Sequence, residues 1–262
     1  MLSATTILQA LAFATAFTTV SAKTTCTNNL VSCHNISASA NLCCVNAPAG
    51  TLIHTQTWDY NSSSSPSETW TISGLLTADC NGNIVKNCDP SRAYSNISNI
   101  LGEFKQTLLR TQLSTDWLNQ SSSTLGLTEN EVWAQAWDTY GTCLSTLSPT
   151  CFGAGYVQGQ EVPPYFRRAV NLYRNDVTYL WLRDAGIVPS KAATYTANVI
   201  MGALKAQHGH PVYIYCDGNK LSGVAYYYNV AGSIANGQIS SISALGGAST
   251  CPSNGIVYLP KP

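Results

Sequence analysis

Four histidines, His34, His54, His208 and His210, are the only side chains of this 262-residue sequence whose ordinary pKa lies close to neutrality. Acid–base chemistry has to start from them. His54 falls in TLIHTQTW (51–58), where strict alternation places His54, Gln56 and Trp58 on one face of a strand. His54 and Gln56 are therefore the candidates for a cleft wall, although a solitary strand histidine also serves as a hydrogen-bonded structural group. His208 and His210 flank Gly209, and an H-x-H pair can grip a metal. No carboxylate or cysteine lies close enough in sequence to complete a ligand set, so the pair reads as a polar turn and no metal or cofactor is expected. His34 lies in a cysteine-dense stretch and is assigned no chemistry. The ten cysteines include no C-x-x-C pair, and the adjacent Cys43 and Cys44 are poorly placed to share one tetrahedral ion. An even set of this kind reads as five disulfides of a secreted protein.

The elements that must position such groups follow from periodicity. ETWTISGLL reads as a second strand beside 51–58. Helical spacing of Ile97, Ile100, Phe104 and Leu108 predicts a helix over 96–110. Thr128 with Glu131 forms a capping box that starts a helix near Glu129 and carries it to about Gly141, with Trp133, Trp137 and Tyr140 along one side. Further helices are predicted over 164–175 and 193–207, and strands over 211–216 and 223–230. The fold class is α+β, an antiparallel sheet packed against several helices. Residues 1–22 have the layout of a signal peptide ending in V-S-A, which leaves 23–262 as one secreted, extracellular domain. No later apolar stretch is long enough to span a membrane. Four sequons, at Asn35, Asn61, Asn96 and Asn119, fit surface glycosylation. The formal net charge is zero and no Lys or Arg occurs between Arg110 and Arg167, so a basic stripe for nucleic-acid phosphates is missing.

Two segments carry a resemblance. WTISGLLTADC (70–80) and VWAQAWDTYGTC (132–143) are similar in frame to the two motifs of the ribonuclease T2 family, especially its fungal members. NLCCVNAPAGTL, CDPSRAYSNISNIL and DAGIVPS extend the likeness from about Cys26 to Pro260. The resemblance implies disulfides Cys26–Cys44, Cys33–Cys80, Cys43–Cys151, Cys88–Cys143 and Cys216–Cys251. Spacing alone leaves all pairings of the ten open.

In that family a base takes the proton of the RNA 2′-hydroxyl, an acid protonates the leaving 5′-oxygen, and cationic groups stabilise the phosphorane. Carried over position by position, the histidines of the motifs fall on Ser73, Gln135 and Tyr140, the glutamate on Ala136 and the lysine on Thr139. The base-binding positions fall on Leu76, Ala78 and Ile84. None of these side chains exchanges a proton near neutrality. The expectation is therefore a catalytically inactive scaffold, monomeric, with RNA binding weak or absent. It would act by binding an unidentified protein or cell-surface partner, as a host-directed effector, with Tyr156, Tyr165 and Trp117 as candidate aromatic anchors. The alternative is a weakly active or reconfigured endoribonuclease, with a site around His54, that cleaves RNA through a 2′,3′-cyclic phosphate. A storage or cell-wall protein with no specific ligand is a third reading.

Overall fold

The computed structural model describes residues 26, 30–34, 37, 40–61, 66–118, 126–247 and 249–262. The signal-peptide segment, Asn35 and Asn119 lie outside them. Five antiparallel strands form one sheet: β1 (Thr51–Thr57), β2 (Thr71–Ala78), β3 (Tyr213–Asp217), β4 (Lys220–Ala231) and β5 (Gln238–Ile242). β1 lies between β2 and β4. β4 is long enough to pair with β3 along its first half and β5 along its second. β5 is a strand that the sequence reading did not include. Gln238, Ser240 and Ser241 give it no continuous apolar face, and pairing with β4 supplies its structure.

Six described helices cover one face: α1 (Ile97–Glu103), α2 (Thr107–Asp116), α3 (Glu129–Thr139), α4 (Val162–Asn175), α5 (Thr178–Asp184) and α6 (Ala197–His208). The helix predicted over 96–110 is in fact two. Lys105 adopts φ 55°, a left-handed backbone that ends α1, and Gln106 starts α2. Apolar spacing ran through the break because Ile97 and Leu101 in one helix and Leu109 and Leu113 in the other all pack on the same core. α6 starts at Ala197 rather than 193, capped by the Thr196 hydroxyl, and ends on Gly209 at φ 88°. None of the described helices is long and apolar enough to cross a membrane.

The core lies between the sheet and these helices. α4 carries much of it, burying Val162, Tyr165, Phe166, Ala169, Val170 and Leu172, each large apolar side chain contributing about 1.5–3 kcal/mol on burial. Trp117 is 1 % exposed and Tyr165 is fully buried, so neither is an anchor for a partner. Tyr156 is half-buried and donates to Glu161 Oε2 at 2.9 Å. All five disulfides join the pairs the resemblance implied. Gly50 makes room for one of them, because a Cβ there would sit 2.6 Å from Cys33 Sγ.

Candidate active-site groove

The two motif segments meet at one groove of about 580 Å³. β2 supplies Ser73, Gly74 and Leu76, and α3 supplies Val132, Gln135, Ala136, Thr139 and, at its C-cap, Tyr140. Thr55 and Thr57 of β1 and Tyr215, Ser222 and Gly223 of the β3–β4 hairpin complete the wall. Helical periodicity explains the α3 contribution: Trp133, Ala134 and Trp137 turn into the core, so the residues three and four apart on the other side face the groove. On β2, Ile72 and Gly74 pair with the consecutive residues Gln56 and Thr55, which leaves Ser73 as the extra residue of a β-bulge. Bulges re-aim side chains beside sites, and Ser73 is exposed there.

Strand and helix are held in register from below. The Tyr165 hydroxyl donates to Leu75 O at 2.7 Å and lies 3.3 Å from Ala136 O, so one buried residue of α4 ties both motifs together. Arg92 is buried at the far end of α3. Its guanidinium donates to the carbonyls of Thr142 and Leu147 and pairs with Asp89, while its own carbonyl accepts from Trp137 Nε1 at 2.7 Å. Gly141 follows Tyr140 because a Cβ would come within 2.3 Å of the Trp137 ring. Cys88–Cys143 closes the same end.

No Asp, Glu, His, Lys or Arg is among the described residues lining the groove. Its two titratable groups are phenols. Burial raises the Tyr140 pKa, and burial with the neighbouring Tyr227 and Tyr213 pushes Tyr215 up to about 12. The wall offers neutral hydrogen-bond donors, from the hydroxyls of Ser73, Thr139 and Tyr140 and the amide of Gln135, whereas the hydroxyls of Thr55, Thr57 and Ser222 already donate to the carbonyls of Gly74, Ser222 and Tyr215. Such groups can orient a phosphodiester and stabilise charge developing on it, without titrating.

Other sequence-derived candidates lie elsewhere. Leu76 lines the groove, whereas Ala78 is fully buried and Ile84 is 45 % exposed across an isolated bridge from it. His54 is fully buried and does not line the groove, which corrects its expected place in the cleft. The alternation was right about which residues share a face, but that face is the core side, with Trp58 and Leu52. Gln56 borders the groove, yet its amide is engaged on the other side, donating to Asp176 O at 2.8 Å and accepting from Thr178 at 2.7 Å. His54 Nδ1 sits 3.2 Å from Asp176 Oδ2, which also accepts the Tyr228 hydroxyl at 2.5 Å. Since a carboxylate only accepts, Nδ1 carries the proton of that bond. His208 packs on Tyr226 and Tyr228 while His210 is exposed, and the described residues form no metal-ligating cluster. Thr55, Thr57, Tyr215 and Ser222 were missed. For the two threonines the signal was present, since they are the residues that alternate with His54 and Gln56.

A sheet with helices on one face, five disulfides and two motif segments at one groove define a class: residues 41–242 match the Ribonuclease T2 family, and the chain belongs to it. Among its relatives, Ribonuclease Trv of Hypocrea rufa is 38 % identical over 91 % of this chain and 99 % of that protein. Ribonuclease M of Aspergillus phoenicis is 40 % identical over 84 % of this chain and 90 % of its own length. The crystal structure of Actibind, a T2 ribonuclease, superposes with a TM-score of 0.80 at 36 % identity, covering 89 % of this chain and 96 % of that one. Endoribonuclease ancestry follows, and the disulfides and fungal relatives are consistent with an extracellular protein. The same finding corrects the expectation of a catalytically inactive partner-binding scaffold. The proteins this chain matches almost end to end carry ribonuclease names, and a ribonuclease reading takes its place.

Proposed function

We propose that this chain is a reconfigured endoribonuclease of low turnover that binds a segment of RNA in the groove and cleaves it through a 2′,3′-cyclic phosphate. The observation that carries the reading is the groove itself: an open cleft of about 580 Å³ walled by both family segments and held by buried bonds from Tyr165 and Arg92. In the reaction the 2′-oxygen bonds to the adjacent phosphorus and the P–O5′ bond breaks. With His, Lys and Glu replaced at the family positions by Ser73, Gln135, Ala136, Thr139 and Tyr140, the 2′-hydroxyl proton passes to water and the 5′-oxygen takes one from water. The chain contributes positioning and neutral donors aimed at the phosphorane, which accelerate the reaction without a titrating residue. Each general acid or base contributes roughly 10²–10⁴ in rate, so turnover lies far below that of an enzyme with imidazoles in these places. Binding is weak, because no cationic side chain among the described residues lining the groove meets the phosphates. Secretion after removal of residues 1–22, and glycans on the exposed Asn61 and Asn96, complete the reading.

The test is cleavage of a fluorescent oligoribonucleotide by the purified protein from acid to neutral pH, with the products weighed by mass spectrometry. A double variant, Gln135→Ala with Tyr140→Phe, serves as the control for contaminating nuclease. The expected result is a 2′,3′-cyclic phosphate product formed at least about tenfold faster by the parent. Equal rates for the two proteins overturn the proposal.

A further inference from the structure

A second pocket, also of about 580 Å³, shares no lining residue with the groove. It opens between the C-terminal ends of α4 and α6, the start of α5 and the β4–β5 edge. At its base lie three buried polar residues, Asp176, His208 and Tyr228. His208 is 7 % exposed, its Nε2 is buried, and the backbone of Tyr227 and Ile242 faces its imidazole. Asp176 is 4 % exposed, and Oδ2 takes both bonds from Tyr228 and His54, so Oδ1 accepts nothing from the described residues. The rim is made of amides. Asn171, Gln207 and Gln238 are exposed, and none of their side chains makes a hydrogen bond within the described residues. Half-buried Trp181 adds an apolar wall.

The charges in the wall cancel. Among the described residues lining it, Arg168 is the only Lys or Arg and Asp176 the only Asp or Glu. The guanidinium of Arg168 is already anchored through Nε and Nη2 to the carbonyls of Ile234 and Gly237, with Nη1 left over. An anionic ligand would gain nothing from such a wall and would meet the Asp176 carboxylate at the base. What remains is a set of paired donors and acceptors, amides above and a carboxylate, phenol and imidazole below, beside one aromatic ring. Vicinal hydroxyls need that alternation of donors and acceptors, and the C–H face of a sugar ring packs on an aromatic wall. We propose that this pocket binds an uncharged, hydroxyl-rich ligand, a saccharide unit, independently of the groove. It enters with its ring beside Trp181 and its hydroxyls on the rim amides and Asp176.

The ligand is either a free sugar or a unit of a protein-linked glycan, and two arms separate these. Methyl α-mannopyranoside, methyl β-glucopyranoside and N-acetylglucosamine are titrated by saturation-transfer NMR, and a high-mannose glycopeptide by calorimetry. The expected result is saturable binding of at least one probe, weakened fivefold or more in Asn171→Leu with Gln238→Leu. Both positions are exposed, so an unchanged melting curve verifies the fold of that variant. Tighter binding of the glycopeptide assigns the glycan source, and equal affinity the free sugar. No binding of any probe up to about 20 mM, binding untouched by the double variant, or displacement of the sugar by inorganic phosphate overturns the proposal.

Discussion

Asp176 is where the sheet, α4 and the second pocket are joined, and Asp176→Asn tests that junction quantitatively. The side chain is 5 % exposed, and its Oδ2 accepts from Tyr228 at 2.5 Å and from His54 Nδ1 at 3.2 Å. Hydrogen bonds to a charged group contribute about 1.5–3 kcal/mol each. Asparagine keeps one acceptor oxygen, which Tyr228 can use at reduced strength, but it turns an amide N–H towards the proton on His54. The loss is then one whole bond and part of another, about 2–4 kcal/mol. In a chain of this length each kcal/mol moves the midpoint by about 2–4 °C, so the variant melts roughly 5–15 °C lower by calorimetry. Tyr228→Phe removes one bond to the same carboxylate and costs less, about 1.5–3 kcal/mol. The double variant falls short of additivity by about 0.5–1.5 kcal/mol, because one single change weakens and the other removes the same contact. A shift within about 1 °C for Asp176→Asn refutes the claim that this cluster contributes to stability.

Gly141→Ala drives a Cβ to 2.3 Å from the Trp137 ring, and overpacking of that kind costs about 1–3 kcal/mol. Denaturant unfolding reads the cost, and the RNA assay reads the displacement of Tyr140. Introducing two imidazoles, Ser73→His with Tyr140→His, raises cleavage by roughly 10²–10⁴ and gives a bell-shaped pH profile, and unchanged turnover would mean that the groove is not the site. Cys88→Ser with Cys143→Ser opens a link across 55 residues, worth about 4 kcal/mol of chain entropy by the loop-length relation, visible in the denaturation midpoint. Burial holds the His208 pKa below its ordinary 6.5, opposed by Asp176 and reinforced by His210. The unfolded chain therefore takes up the proton first. The stability that His208 contributes is complete above pH 6.5 and is lost as the pH falls through its folded value. Urea midpoints at about pH 7.5 and about pH 5 fall further apart in the parent than in His208→Gln.

Local signals were legible wherever the local sequence carries its own physics. The Thr128–Glu131 capping box formed as read, with Glu131 accepting from the Thr128 N–H at 2.7 Å, because the bond needs only four consecutive residues. The α1–α2 break was hidden, since the left-handed turn falls on exposed Lys105, which lies outside the apolar positions that hydrophobic spacing reports. His54 was assigned to the right face and the wrong environment. Alternation sorts a strand into two faces but does not say which of them the helices cover. Here α4 and α5 bring Asp176 and Thr178 against His54 and Gln56 from more than 100 residues away.

The two motif segments, the side-chain types they present, the even set of cysteines and the periodicities of most strands and helices are legible in the order of residues alone. These depend on composition and on residues a turn or two apart. That Ser73 stands on a bulge facing α3, that none of the described residues lining the groove is ionic, and that a buried aspartate links a strand histidine to a second pocket all come from the folded arrangement. Those facts depend on which distant surfaces meet, and chain closure through β4, α4 and five disulfides sets that.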